Sequence, residues 1–386
     1  MSVNNTVDTH LKVFPIPELS NNNILSSKLE FSLSEYPARQ LFSTGFNYFI
    51  HQSYVLFDEL IKEQGTKQFY WVVNNFEIYL TDQEKKYELI DTVKEHLNID
   101  NISVLENSLF FQIWEINIIF NFIEKNTKIN LITNKNEIIR NSINKYVERT
   151  NILNKTKNTV TYTNKNAELA ILLLDEPKSL TEIESNYFRP LIKNTYDTLL
   201  NLNDNGNLIV ELDDLYTLPT IKYICLMKSL FRQVYIHKPY YSRSVYSQKY
   251  LICKDFSAKD YKKIVKKLEP LINLDVNTNL YVTDFILDFE IPNSILTVMT
   301  YINIYLGGIQ HCEKNKIIKY IKSEDYFGDK YKEYFDAQML ATEFYLASFF
   351  PIDKNDYVAN SKKIAEDIQE NSQRLQKYNI TKQLIL

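Results

Sequence analysis

Between Asn207 and Phe256 the chain carries its densest set of side chains with chemistry to offer. Glu211 follows the apolar run Leu208-Ile-Val210, and Gln248 precedes a second, Tyr250-Leu-Ile-Cys253. Between them lies a basic and aromatic loop, Lys238-Pro-Tyr-Tyr-Ser-Arg243. Lys238 and Arg243 are the type of cation that holds phosphate, and Tyr240 and Tyr241 the type of ring that stacks on bases. The plainer alternative for the same residues is a loop that closes a sheet edge. Lys222 and Lys249 add two more amines to the stretch.

Little else in the chain points to chemistry. Three cysteines (Cys225, Cys253, Cys312) and five histidines make no CxxC or HxxxH spacing, so no metal site is expected. An odd, scattered cysteine count also argues against a disulfide framework. The net charge of −4 excludes a global basic field for nucleic acid but leaves room for a local patch. At 386 residues, 45% hydrophobic and 24% charged, the composition is that of a globular chain with ample core. The excess of Asn, Ile, Lys and Tyr fits an AT-rich coding sequence. The first residues lack a basic segment followed by an apolar one, and runs such as 116–123 and 340–350 fall short of the ~20 residues that span a bilayer. An intracellular protein without a membrane segment is expected.

The elements that must position Glu211 and Gln248 follow from periodicity. Residues 1–30 read as an irregular arm. Phe46, Phe49, Ile50, Tyr54, Phe57 and Ile61 recur at helical steps. Residues 68–75 read as a strand, and 79–97 as a helix with Thr81 as N-cap and Glu84 in capping-box position. Residues 101–126 stay open between helix and strands. From 128 the text alternates: strand into helix (128–150), strand (158–164), a buried strand (167–177), then a helix (179–202) with Ser179 or Thr181 as N-cap. A turn at Asn203–Gly206 leads into the strand of Glu211. This alternation predicts an α/β domain with a largely parallel sheet. Beyond it come an amphipathic helix, an extended segment (279–292), a helix stopped by Gly307-Gly308, and a surface helix (358–378).

A sheet of this kind commonly binds a nucleotide or S-adenosylmethionine (AdoMet) through a glycine-rich turn after its first strand. The corresponding turn here is Asn134-Lys-Asn-Glu137, and no glycine occurs between Gly65 and Gly206. Where the backbone must take positive φ against a ligand, only glycine serves. AdoMet binding is therefore not expected, and no cofactor is assigned.

Residues 207–256 resemble the FtsJ-like ribose 2′-O-methyltransferases that act on RNA. The resemblance rests on Gly206-Asn-Leu-Ile-Val, Tyr216-Thr-Leu-Pro, Ser229-Leu-Phe-Arg-Gln-Val-Tyr, Lys238-Pro-Tyr-Tyr-Ser-Arg243 and Ser247-Gln-Lys-Tyr-Leu-Ile-Cys253, with 167–176 matching the preceding Asp-bearing strand. It implies a Rossmann-like methyltransferase sheet with helices on both faces, over 121–256. An N-terminal extension (1–120) and a mainly helical C-terminal region (257–386) would be additions. It also implies a Lys-Asp-Lys-Glu tetrad whose central Lys deprotonates the 2′-hydroxyl. Asp175 takes the Asp position, Glu211 stands in place of that Lys, Gln248 in place of the Glu, and the first Lys has no match. A carboxylate at 211 reverses the charge of the base, and Gln248 supplies no charged partner. A chain without catalytic activity is the expectation that follows.

Three further segments, 33–52, Tyr187-Phe-Arg-Pro-Leu191 and the C-terminal Gln373-Arg-Leu with Lys382-Gln-Leu-Ile-Leu386, resemble the small regulatory subunit of poxvirus-type mRNA capping enzymes. That resemblance implies a heterodimer with a large capping-enzyme subunit carrying a guanine-N7 methyltransferase domain, which this chain would stimulate allosterically. It implies a cytoplasmic place, in a viral factory, virion or cytoplasmic genetic element. RNA is a second expected partner, through Lys238, Tyr240, Tyr241 and Arg243. The competing readings are an active RNA 2′-O-methyltransferase with a rearranged site, using Lys222 or Lys249, and a stand-alone RNA-binding protein.

Overall fold

The computed structural model describes residues 8–385 apart from 20–22, 42–43, 66–68, 77–87, 174–182, 274–279 and 325–327. In chain order the elements are β1 (Val13–Pro15), β2 (Leu29–Ser34), α1 (Thr44–Gln64), a 3-10 turn (Phe69–Val73), α2 (Glu88–Leu97), α3 (Ser108–Phe120), β3 (Thr127–Ile132), α4 (Asn136–Asn154), β4 (Val160–Tyr162) and β5 (Ala167–Leu172). They continue with α5 (Ile183–Leu200), β6 (Leu202–Leu212), α6 (Leu218–Leu230), β7 (Phe231–His237), β8 (Lys249–Phe256), α7 (Ala258–Ile272), β9 (Tyr281–Ile286), α8 (Asn293–Ser323), α9 (Asp329–Phe349) and α10 (Lys354–Ile385).

Seven strands form one sheet in the order β1-β7-β8-β6-β5-β3-β4. β4, β3, β5 and β6 run parallel, and β8 enters antiparallel between β6 and β7. β1 adds an antiparallel edge to β7, with Val13 opposite His237. The chain crosses over between β4 and β5, so the strand order reverses at β3 and β5. A ligand crevice in such a sheet lies outside the carboxyl ends of the strands at that reversal. This is the α/β, Rossmann-like arrangement expected from the alternation.

The sheet is buried on both faces, and alternation along β6 shows how. Leu208, Val210 and Leu212 join the core under α5, α6, α7 and α8, while Ile209 joins the core under α3, α4 and α9. Glu211, two residues beyond Ile209, therefore turns to the α3 side. Across the pairing, Glu211 faces Tyr250 and Leu212 faces Lys249, which puts Lys249 on the opposite face.

Several elements differ from expectation. Residues 68–75 form no strand; Tyr70–Val73 are buried in a 3-10 turn wedged between α1 and α8, with Trp71 edge-on to Phe57. α8 does not stop at Gly307-Gly308 but runs on to Ser323. Each helical glycine costs about 1 kcal/mol, and burial of Leu306, Gln310, Ile317 and Ile321 in the same helix outweighs it. The turn expected at 203–206 is instead the start of β6, with a register shift opposite β5. Gly206 is required there, since a Cβ would sit 2.8 Å from the Asn203 carbonyl oxygen. Residues 13–15 and 29–34 of the N-terminal arm are strands, because β7 and β9 each leave an edge for them to pair with. The expected caps Thr81, Glu84, Ser179 and Thr181 lie outside the described residues.

The open segment 101–126 contains α3, from Ser108 to Phe120. Asn107 caps it by accepting from the Leu109 amide at 3.0 Å, and Asn121 ends it in the left-handed region. It is buried on nearly every side, so no amphipathic stripe marks it in the sequence. Its Glu115 is fully buried, with one carboxylate oxygen 3.2 Å from the equally buried His237 ring on β7. The same carboxylate accepts from the Tyr240 amide, and the other ring nitrogen of His237 lies 3.1 Å from the Lys12 carbonyl oxygen. Burial pushes the Glu115 carboxyl up, and His237 and the Tyr240 amide pull it back. This contact ties α3, β7 and the N-terminal arm together. Glu115→Ala is expected to destabilise the chain by roughly 3–5 kcal/mol in urea unfolding, with Glu115→Gln losing less. Equal unfolding midpoints for wild type and Glu115→Ala would show that the contact holds nothing.

Candidate functional site

Three side chains meet where β6 ends and β8 begins. The Gln248 amide donates to the Glu211 carboxylate. Gln112, from the middle of α3, reaches Gln248 at 3.5 Å and donates to the Tyr241 carbonyl at 3.1 Å. The buried Tyr250 hydroxyl donates to the Gln112 carbonyl at 2.5 Å, which fixes which way that amide points. The result is a directional chain, Tyr250 to Gln112 to Gln248 to Glu211, ending on a carboxylate at the carboxyl end of a strand. Reading the sequence missed Gln112. The available signal was a polar residue inside the apolar run 109–120, because a buried polar group must find a partner.

Asp175, expected beside this group, lies outside the described residues. Lys222 is far from it in function: its ammonium donates to Asp284 at 2.8 Å and to the Ile286 carbonyl at 2.6 Å, clamping β9 onto α6. Lys249 donates to the Asp213 carbonyl on the face away from Glu211. Burial pulls its ammonium down, and Asp214, Asp213 and Glu184 hold it up. Neither lysine joins the Gln112–Gln248–Glu211 chain.

The loop read as an RNA contact is turned inward. Lys238 is buried and donates to Ser242 at 3.0 Å and to the carbonyls of Tyr246 at 2.9 Å and Gln248 at 3.0 Å. The Tyr240 hydroxyl donates to the Thr9 carbonyl, and its ring packs on Phe76 and Phe349. Tyr241 lies against Phe111 and Tyr345. Arg243 sits 4.0 Å over the Trp71 ring. Lys238, Tyr240 and Tyr241 are thus anchors of the loop, not solvent-facing RNA contacts: an ammonium taken from water needs acceptors, and this loop supplies them.

A second set of ionisable groups surrounds the loop after β6. Glu184 caps α6, accepting from the Thr217 amide and hydroxyl at 2.8 Å each, and burial pushes its carboxyl up to about 7. Burial and then Asp214 push Asp213 up to about 6. Lys314 of α8 is fully buried over the Tyr54 ring, with no acceptor for its ammonium among the described residues. Among the described residues no group of His, Cys, Asp or Glu is placed to hold a metal ion, and no helix is long and apolar enough to cross a membrane.

At the reversal point, the turn from β3 to α4 contains no residue at positive φ. The requirement for glycine therefore does not arise in this turn. The Lys135 amide donates to Thr133 at 3.1 Å, and among the described residues the buried side-chain oxygen of Asn136 has no partner.

No protein-family model matches the chain. An uncharacterised protein of Acanthamoeba polyphaga mimivirus is 28% identical over 250 residues, 64% of this chain and 66% of that protein. A probable methyltransferase of African swine fever virus is 33% identical over 91 residues, 21% of this chain and 22% of the relative. The chain thus spans less than two thirds of either relative's length. Among solved structures, a Plasmodium falciparum protein named as a putative ribosomal RNA methyltransferase superposes with a TM-score of 0.30 at 16% identity, over 38% of this chain and 96% of that one. A class I AdoMet-dependent methyltransferase fold from Listeria monocytogenes superposes at 0.29 and 10% identity, over 60% of this chain and 99% of that one. Superpositions at that level carry no argument. The relatives matched in sequence are viral, and one is named a methyltransferase. That finding corrects the expectation of a chain without catalytic activity: altered residues at 211 and 248 do not remove it from methyltransferase-like company.

Lys314 makes stability depend on pH. Burial pulls its ammonium from the ordinary 10.5 down to about 7, against the pull of Asp214 and Asp58. Between those values the unfolded chain binds the proton that the folded chain has released, so this lysine makes stability rise with pH from about 7 to about 10.5. The slope is up to about 1.4 kcal/mol per pH unit. Lys314→Met is expected to flatten that part of the profile and to be the more stable protein below pH 7. Parallel profiles for the two proteins in chemical unfolding would refute it.

Proposed function

We propose that the chain is a methyltransferase that moves the methyl group of AdoMet onto an RNA ribose hydroxyl, with the Glu211 carboxylate as proton acceptor. The observation that carries this reading is the chain Tyr250–Gln112–Gln248–Glu211. The path leaves an oriented carboxylate at the carboxyl end of β6, where a proton acceptor for the reaction would sit. Here the two changed positions, 211 and 248, share one hydrogen-bonded path ending on a carboxylate. The viral relative named a probable methyltransferase supports the same class.

The residues at the reversal point suit the methionine end of the donor. The amides opening α4 favour a carboxylate, and the unpartnered Asn136 oxygen can accept from an ammonium. AdoMet supplies an electrophilic methyl group when bound. Glu211 would take the proton of the ribose hydroxyl as its oxygen accepts the methyl group and S-adenosylhomocysteine leaves, and Gln248 keeps the carboxylate facing the site. Gln112 holds Gln248, and Tyr250 holds Gln112. A positioned acceptor of this kind contributes on the order of 10²–10⁴ in rate.

The purified chain is expected to bind AdoMet in calorimetry and to label capped or uncapped RNA with its methyl group, the product resisting alkaline cleavage at that ribose. Glu211→Gln should lose at least about a hundredfold in transfer while keeping AdoMet affinity. Absence of AdoMet binding, or full activity in Glu211→Gln, would refute the proposal.

A further inference from the structure

The two edges of the seven-stranded sheet differ. At the β1 edge the carbonyls of Leu11 and Val13 accept from the Asn371 side chain of α10, at 2.6 and 3.1 Å. At the β4 edge no further strand pairs among the described residues. β4 itself is uncharged, Val160-Thr-Tyr162, and cations stand at both of its ends. Lys155 and Lys157 precede it, Lys165 follows it, and Arg140 of α4 lies 4.7 Å over the Tyr162 ring. All four are exposed, and among the described residues none joins an ion pair. Lysines on an edge strand keep other strands from pairing with it. That role asks for charge on the strand, and here the charge sits in the turns.

The surrounding sequence has the same sign. No acidic residue occurs from Arg149 to Ala167. Over residues 124–168 nine Lys and Arg stand against four Glu, so this segment is +5 in a chain that totals −4. Two of those four Glu are engaged, Glu148 by Lys145 at 2.9 Å and Glu168 by the Lys128 amide at 2.8 Å. The Tyr162 hydroxyl donates to Asn144 at 3.0 Å, which steadies the ring that backs one face of the Arg140 guanidinium. Its in-plane donors are left for an oxyanion from solvent. A row of cations without interleaved acids suits an evenly charged phosphate backbone better than the mixed surface of an acidic protein.

β4 runs parallel to β6, so its carboxyl end is at the end of the sheet that carries Glu211. The two strands are three steps apart, about 14 Å at ~4.8 Å per step. We propose that the β4 edge, with Arg140, Lys155, Lys157 and Lys165, is a track for the phosphate backbone of a single-stranded RNA whose reacting ribose lies at Glu211. The choice of RNA rests on the methyl-transfer reading; the charge of the edge does not.

Anisotropy titration of the full chain with a fluorescent single-stranded RNA of about twelve nucleotides, over a series of salt concentrations, tests it. Four neutralised phosphates give a slope of log affinity on log salt of about −3, at ~0.7 per contact. Replacing Lys155, Lys157 and Lys165 together by Gln should weaken binding at least about tenfold and shrink that slope by about 2. Replacing Lys259, Lys262 and Lys266, exposed lysines of α7, removes the same charge elsewhere and should leave both readings close to wild type. No RNA binding by the wild-type chain, an equal loss from the α7 variant, or competition by polyglutamate as effective per charge as by RNA would overturn the track. RNA bound through this edge without methyl transfer would refute the enzymatic reading and leave the track standing. Methyl transfer with unchanged RNA affinity in the triple variant at 155, 157 and 165 would do the reverse.

Discussion

The buried ammonium of Lys238 is the constraint on which the site depends. Removing a lysine from water costs several kcal/mol unless its protons are met. Here they are met by Ser242 and by the carbonyls of Arg243, Tyr246 and Gln248, all within the loop 238–248 between β7 and β8. The loop has no regular secondary structure between β7 and β8, so this cation takes the place of a ladder. Its last acceptor is the backbone of Gln248, which places the Gln248 amide on Glu211. Burial pulls the Lys238 ammonium well down, as do Lys249 and Lys12, while Asp213 and Asp214 oppose them. The acidic residues after β6 thus help keep a charge inside the loop that the loop's path requires.

The opposite wall is α3, and its polar residues explain why an almost wholly buried helix is specified so firmly. Gln112 meets Gln248 and Tyr250, Glu115 meets His237 and Tyr240, and the Trp114 indole donates to the Phe349 carbonyl at 2.7 Å. An apolar helix in an apolar cavity can rotate or slide at little cost. A helix with three directional bonds to three different elements cannot. The same bonds that fix its register present Gln112 to the site, so packing and chemistry are one arrangement here.

Much of this was legible in the sequence, for reasons that differ by element. The strands from 128 to 256 announced themselves because buried β-strands between helices read as short apolar runs, and Glu211 and Gln248 could be placed at strand ends from those runs alone. α3 was not legible, since burial on every side erases the periodicity that marks a helix. Phe69–Val73 looked like a strand because Tyr, Trp and Val favour one, yet β-propensity measures fit to a half-buried pleat, and this segment is buried without a strand partner. Lys238, Tyr240 and Tyr241 looked like an RNA surface because residue type says nothing of which way a loop folds. Direction came from the acceptors around Lys238, and those are tertiary.

The missing glycines illustrate the limit of a steric argument made without coordinates. Glycine is demanded by a backbone shape, and the β3–α4 turn here takes another shape, in which Asn134 and Lys135 keep ordinary negative φ. The loss of charge at 211 and 248 has a similar resolution. A lysine base needs anions around it to set its protonation, whereas a carboxylate base needs a donor that orients it without clamping it. An ammonium or guanidinium beside Glu211 would form a charge-assisted pair, about twice as strong as a neutral bond and slow to yield to an incoming hydroxyl. Gln248 is a neutral donor, itself held by the neutral Gln112, while Lys222 is bound to Asp284 and Lys249 to the Asp213 carbonyl on the other face of the sheet. On the proposed reading, exchanging the sign of the base and replacing its charged partner with Gln248 are one change, and each makes sense only with the other.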